Sequence, residues 1–260
     1  MSPHLRLSDL IQAFGSPGNR PSIIVILRAY FDASYKVGDP AYVIAGYIGA
    51  TKEWRRVEKL WLAAVTKWGL PSGFHLSNLE YLTGGKGREC TEDFARIIAA
   101  SELYGLSAGV EAAHVERELG QFGRNAQWQV AARLLLDLTK QQVGLNVPAG
   151  QVIAIFDSDA PEGVAGVVFE AFRDQSPFAH LSLSTRKCTP LLECADLAAG
   201  LARREWYGPQ FEADDLTGSM GIDRASPATR GAGAIMSAAS ARAVAEVMAK
   251  RRAQKVEKPS

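Results

Sequence analysis

The sequence predicts an α/β fold, a mixed sheet whose first hairpin is antiparallel and whose later strands run parallel, with helices on both faces. Three observations carry this expectation. The stretch "ILRAYFDASYKVGDPAYVIAGYIG", Ile26 to Gly49, is two apolar runs joined by a turn containing Gly38, Asp39 and Pro40, the pattern of a hairpin. From Thr51 the period changes: Trp54, Val57, Leu60, Trp61, Ala64, Val65 and Trp68 recur three and four apart, as on an amphipathic helix that "GLPSG" then stops. Beyond it, helical and strand patterns alternate as far as Trp206, an order that lays helices on the faces of a sheet.

Taken in order, residues 1–22 end in the Gly/Pro/Ser cluster "GSPGNRPS" and read as an arm or linker before a first strand that begins near Ile23. After the tryptophan helix, "TEDFARIIAASE" predicts a helix capped by Thr91, and "LYGLSAGVEA" a strand from Leu103. A longer helix is expected from about Gln127 to Gln142, with Trp128, Ala131, Ala132, Leu135 and Leu138 on one face. "QVIAIFDSD", from Gln151, is apolar until Asp157, as a central strand covered on both faces should be. A short helix over Val164 to Arg173, a short strand in "HLSLST" and the apolar helix "PLLECADLAAGLARREW" follow. The expected domain is therefore 23–207. Residues 208–260 form a C-terminal extension: a loop-like stretch, an Ala-rich helix from about Ala234 and a basic tail.

With 260 residues and 47% hydrophobic content the chain can bury a full core. A net charge of +1, from 29 basic and 28 acidic residues, argues against the broad basic field of a non-specific nucleic-acid coat. Cys90, Cys188 and Cys194 have no paired spacing and leave an odd thiol, which suggests neither a zinc site nor a disulfide framework and fits a reducing cytoplasm. No run approaches the roughly 20 apolar residues of a membrane span, and no signal-peptide pattern opens the chain. The tryptophans at helical spacing are expected in the core rather than in a base-stacking platform.

Chemistry is expected from carboxylates. Strand alternation puts Tyr30, Asp32 and Ser34 on one face and Ala29, Phe31 and Ala33 on the other. Asp157 ends an apolar strand, at the carboxyl edge where open sheets place ligands. Glu193 and Asp196, three apart, project from one side of a helix that is otherwise almost wholly apolar. Buried acids need a positive partner. If the two acid-bearing strands lie side by side, their spacing of about 4.8 Å suits a cluster that holds metals about 3.5 to 4 Å apart. Oxygen donors, without a histidine or cysteine cluster, select Mg2+ or Mn2+, held by Asp32, Asp157, Glu193 and Asp196. Ser34 and His75 are accessory candidates.

Structural readings compete with each of these. Asp32 and Asp157 could be strand-end turn formers, and Asp196 could sit in a buried salt bridge with Arg28 or Arg186. Glu193 could turn outward, and Asp159 reads better as a turn or capping residue than as a ligand.

These motifs resemble the bacterial domain-of-unknown-function family 3800, whose members are RNase H-like. The matching pieces are "YFDASY" on the first strand, the apolar second strand with its tryptophan helix, Phe74 and His75, "IFDSD", and "ECADLAAG" on a late helix. The resemblance spans about residues 26 to 207. It implies an RNase H-like mixed sheet in which Asp32, Asp157 and Asp196 form the acidic cluster. Two departures stand out: Ala33 replaces a glutamate, and Glu193 replaces a glutamine.

The function expected is a divalent-metal-dependent nuclease or related phosphodiester hydrolase acting on DNA or RNA. The alternative is a non-catalytic RNase H-like module that binds nucleic acid or a partner protein. A homodimer through the Ala-rich C-terminal helix is a further expectation. The run "VIAIFDSD" also looks like the first motif of haloacid-dehalogenase-like phosphatases. Only some 60 residues separate Asp157 from the acids at Asp214 and Asp215, too few for that fold, and Asp32 is left without a role.

Overall fold

The computed structural model describes residues 25–35, 41–119, 123–147, 150–161, 163–207 and 231–235. In chain order these form β1 (Val25–Ser34), β2 (Ala41–Ala50), α1 (Thr51–Trp68), a 3-10 turn (Leu76–Asn78), α2 (Leu79–Leu82), α3 (Gly87–Ala99), β3 (Tyr104–Glu111), α4 (Ala112–Leu119) and α5 (Arg124–Asn146). They continue with β4 (Gly150–Asp157), α6 (Val164–Phe172), β5 (Phe178–Ser184), α7 (Leu192–Tyr207) and β6 (Gly231–Ile235). The strands make one mixed sheet in the order β5-β4-β1-β2-β3-β6. β1 with β2 and β2 with β3 are antiparallel; β4 runs parallel to β1, and β5 to β4. The antiparallel opening followed by parallel strands, with helices on the faces, is the α/β arrangement expected from the sequence.

Helix α1 occupies the span its apolar spacing predicts and stops at Gly69, whose φ of 63° closes the helix as only glycine does without strain. The helix expected over 127–142 extends to Arg124–Asn146. Thr91 is not a cap: α3 begins at Gly87, and the Thr91 hydroxyl donates back to the Gly87 carbonyl from inside the first turns. A threonine one turn into a helix satisfies itself this way, so its hydroxyl marked the wrong boundary. Gly231–Ile235, read as loop running into a helix, is instead a strand parallel to β3. Its small residues carry no alternation of apolar and polar side chains, the signal on which strand prediction depends. The N-terminal arm, the turn at 38–40, the rest of the Ala-rich helix and the basic tail lie outside the described residues. Among the described residues no helix is long and apolar enough to cross a membrane.

Two cores sandwich the sheet. Ala29 and Phe31 of β1 face one of them, with Trp128 and Leu135 of α5 and Val168 and Phe172 of α6. Tyr30 of β1 faces the other, with Trp54 and Trp61 of α1, Phe94 of α3 and the alanines of α7. Trp54, Trp61 and Trp128 are fully buried, as their spacing implied, whereas Trp68 is buried only in part and Leu60, expected on the same face, is 40% exposed. Ala195, Ala198, Ala199 and Ala202 are buried, and α7 packs on β1 and β2. That contact carries Asp196 to the carboxyl end of β1.

Candidate active site

The register of β1 and β4 brings the first two acids together. Phe31 pairs with Phe156 in parallel alignment, and Asp32 and Asp157 each lie one residue further on. Both share parity with residues that face α7, since Tyr30 and Ile155 belong to that core. Asp32 is 2% exposed and Asp157 6%.

Their common partner is Arg186, from the turn between β5 and α7, itself only 7% exposed. Its Nη2 donates to Asp32 Oδ2 at 2.5 Å. Its Nε stands 2.8 Å from Asp157 Oδ2, close enough for an ion pair. The alignment of that contact is poor, and both atoms remain buried without a hydrogen bond. Nη1 lies 2.7 Å from His75 Nδ1 and also touches Nε2.

The remaining oxygens of the two aspartates are held locally. Asp32 Oδ1 accepts from the Ala33 backbone N–H at 2.7 Å. Asp157 Oδ1 accepts from Ser158 Oγ and from the Asp159 N–H, each at 3.3 Å. Asp159 is thus a turn residue supporting Asp157, in line with the structural reading of it. Ser34, two residues beyond Asp32 on the same side of β1, is half-buried at the strand end.

The two acids of α7 behave differently from each other. Asp196 Oδ2 accepts from the Leu76 N–H at 2.9 Å and lies 3.7 Å from His75 Nδ1, at the edge of the Arg186 cluster. Glu193, 1% exposed, turns to a different set of donors. Its Oε2 accepts from Trp61 Nε1 at 2.8 Å, and its Oε1 from the Gly73 N–H at 2.9 Å. Glu193 therefore ties α1 and the 70–75 loop to α7, and both of its oxygens are engaged away from the metal-ligand role expected of it. Gly73 is required twice over. Its φ is 71°, and a Cβ there would stand 2.9 Å from Lys187 Cγ and 3.2 Å from the Lys187 backbone nitrogen. The loop that carries His75 is thereby pressed against the turn that carries Arg186.

Burial dominates the electrostatics. Asp32 is pushed up to about 8, first by desolvation and then by the Asp196 charge, while Arg186 opposes both. Asp157 is raised as well, again chiefly by burial, against the pull of Arg186. Burial lifts Glu193 to about 7 in spite of its two hydrogen bonds. Mutual repulsion among the aspartates is present at Asp32 but second to desolvation.

The sign of the pH effect follows. A carboxyl whose folded pKa exceeds its unfolded value binds more protons in the folded state between roughly 4 and 8. Stability of the metal-free protein should therefore fall as pH rises through that interval, by up to about 1.4 kcal/mol per pH unit for each such group. Glu193 and Asp157 add to the same slope, so the difference between wild type and Asp32→Asn isolates Asp32. Urea denaturation at pH 5, 6, 7 and 8 should show a shallower slope for Asp32→Asn; parallel slopes would contradict the assignment.

The sequence reading names the four acids and His75 but not the role of Arg186. The signal available was its place in "STRKCTP", a short connector leading into "ECAD". As a partner for Asp32 and Asp157, rather than for Asp196 alone, it needed the third dimension. Compared with protein-family models and with curated proteins, the chain finds no match.

The donors suit a hard divalent cation: all are carboxylate oxygens, and one of them, Asp157 Oδ2, is buried without a hydrogen bond. With Arg186 between them, however, no three His, Cys, Asp or Glu side chains among the described residues form a group that could hold a metal ion. The cation at the centre of this cluster is a guanidinium.

Proposed function

We propose that the protein is a divalent-metal-dependent nuclease or a related phosphodiester hydrolase with an RNase H-like acidic site, of the kind found in domain-of-unknown-function family 3800. One observation carries the reading. Acids from β1 and β4 meet at the carboxyl edge of a mixed sheet around a single positive group, with a third acid from α7 beside them. The antiparallel hairpin followed by parallel strands supports the same fold family.

Asp32, Asp157 and Asp196 would hold Mg2+ or Mn2+; Glu193 is a positioning residue that fixes the His75 loop. When bound, such an ion supplies a Lewis acid for a phosphate oxygen and lowers the pKa of its water. The chain's own part is to gather three carboxylates on rigid elements and to keep His75 at the rim, where its side chain is 45% exposed. A nucleic-acid partner is part of the same proposal, with the Arg124 guanidinium, which donates to the Asp159 carbonyl two residues beyond Asp157, as a cation for its phosphates.

The test is cleavage of labelled DNA and RNA by purified protein with Mg2+ or Mn2+. Asp32→Asn and Asp157→Asn should each reduce the rate by about 100-fold or more. Equal rates in wild type and both variants would defeat the hydrolytic reading.

A second reading, a non-catalytic RNase H-like module, draws on two observations: Arg186 fills the centre of the cluster, and Ala33 stands where the family has a glutamate. It expects nucleic-acid or protein binding that is indifferent to metal and to all three Asp→Asn changes.

A further inference from the structure

We propose that Arg186 is a resident counter-ion that closes the acidic cluster in the absence of metal and leaves it when a divalent cation enters. The inference rests on the metal-site reading above and concerns how that site is gated.

Arg186 and a metal would compete for the same atoms. The guanidinium spans Asp32 Oδ2 and Asp157 Oδ2, one oxygen from each of two acids on adjacent strands that would hold an ion. A divalent ion placed there would stand within a few ångströms of a fixed positive charge, where like charges repel strongly at low effective dielectric. Simultaneous occupancy is therefore excluded, and one cation replaces the other.

The geometry also makes Arg186 replaceable. Asp157 Oδ2 and Arg186 Nε are both buried and both lack a hydrogen bond, so one arm of the bridge is incomplete. One guanidinium faces Asp32 and Asp157 directly, with Asp196 nearby. A divalent ion would engage the Asp157 oxygen that the guanidinium leaves without a hydrogen bond. Arg186 sits on a turn that owes its shape to its own backbone and not to the ion pairs. The Cys188 and Thr189 N–H groups both donate to the Thr185 carbonyl, and Ser184 and Thr189 share a hydroxyl hydrogen bond at 2.7 Å. In the proposed exchange the side chain rotates outward while the turn stays closed. The next residue but one, Cys188, is already exposed to solvent.

The experiment measures metal binding and arginine exposure, not cleavage. Mn2+ affinity of wild type and Arg186→Met is compared by calorimetry and by the electron paramagnetic resonance signal of free Mn2+. The variant should bind about tenfold more tightly or better, because no tethered cation has to be expelled. Independently, and with no variant that must fold, wild-type protein is treated with phenylglyoxal and Arg186 modification is followed by mass spectrometry. Labelling of Arg186 should be slow in metal-free protein and rise several-fold at saturating Mn2+. Both results would support the exchange whether or not any nucleic acid is cut. Mn2+ binding of equal strength in the two proteins, with Arg186 protected throughout, would overturn the exchange and leave the metal site standing. Failure of both proteins to bind Mn2+ would overturn both.

Discussion

Replacing Arg186 with methionine is expected to lower the unfolding free energy of the metal-free protein by about 3–5 kcal/mol at pH 8. Methionine approximates the volume of the arginine stem but removes the charge that faces Asp32 and Asp157, both nearly inaccessible to water. Breaking one side of a buried ion pair costs more than the pair itself contributes, because the carboxylates left behind stay desolvated without compensation. The loss should shrink at pH 5. There Asp32, already raised to about 8 with Arg186 in place, is protonated in the folded state, and less uncompensated charge remains. Urea denaturation of the wild type, the two single variants and Arg186→Met/Asp32→Asn gives the coupling energy between the two positions. A combined loss close to the sum of the separate losses would mean that the 2.5 Å contact carries little energy.

Why the acids were legible and Arg186 was not is a matter of what each residue type violates. A carboxylate inside an apolar strand, or on an apolar helix, contradicts its surroundings; Asp32, Asp157, Glu193 and Asp196 stood out for that reason. An arginine in a polar connector contradicts nothing. Strand parity was enough to turn Asp32 and Asp157 to one face, and helical spacing was enough to put Glu193 and Asp196 on one side. Neither period distinguishes a carboxylate directed at the strand end from one directed at an indole about three turns along another helix. Glu193 and Asp196 therefore read as a pair, yet Glu193 reaches Trp61 and Gly73 while Asp196 reaches the His75 loop. The fold itself was more legible than the site, because hairpin, tryptophan periodicity and buried β4 are local patterns. Gly231–Ile235 was not, since its pairing with β3 is set by a distant strand and not by its own sequence.

The Glu193 contact leads to the second large effect. Trp61→Ala should cost about 4–6 kcal/mol, from the cavity left by a fully buried indole and from a carboxylate oxygen that loses its donor. Trp61→Phe separates the two contributions. The ring can still pack on Phe94, whose centroid lies 4.3 Å from that of Trp61, but nothing replaces the Nε1–H. A loss of about 1–3 kcal/mol is expected for it. That loss should be larger at pH 8 than at pH 5. Glu193 titrates near 7 with the indole bond in place, and removing a donor to its charged form raises the folded pKa further, so the penalty appears only where the carboxylate would otherwise be ionised. Chemical denaturation of Trp61→Phe at the two pH values measures this directly. Because the same glutamate holds the Gly73 N–H, and Gly73 abuts the Arg186 turn, loosening Trp61 should also loosen His75 against Arg186. Amide exchange at residues 73–76 should then rise in Trp61→Phe even at pH 5, where stability is least changed. Unchanged protection there would confine Trp61 to packing and leave the His75 loop to be held by Asp196 alone.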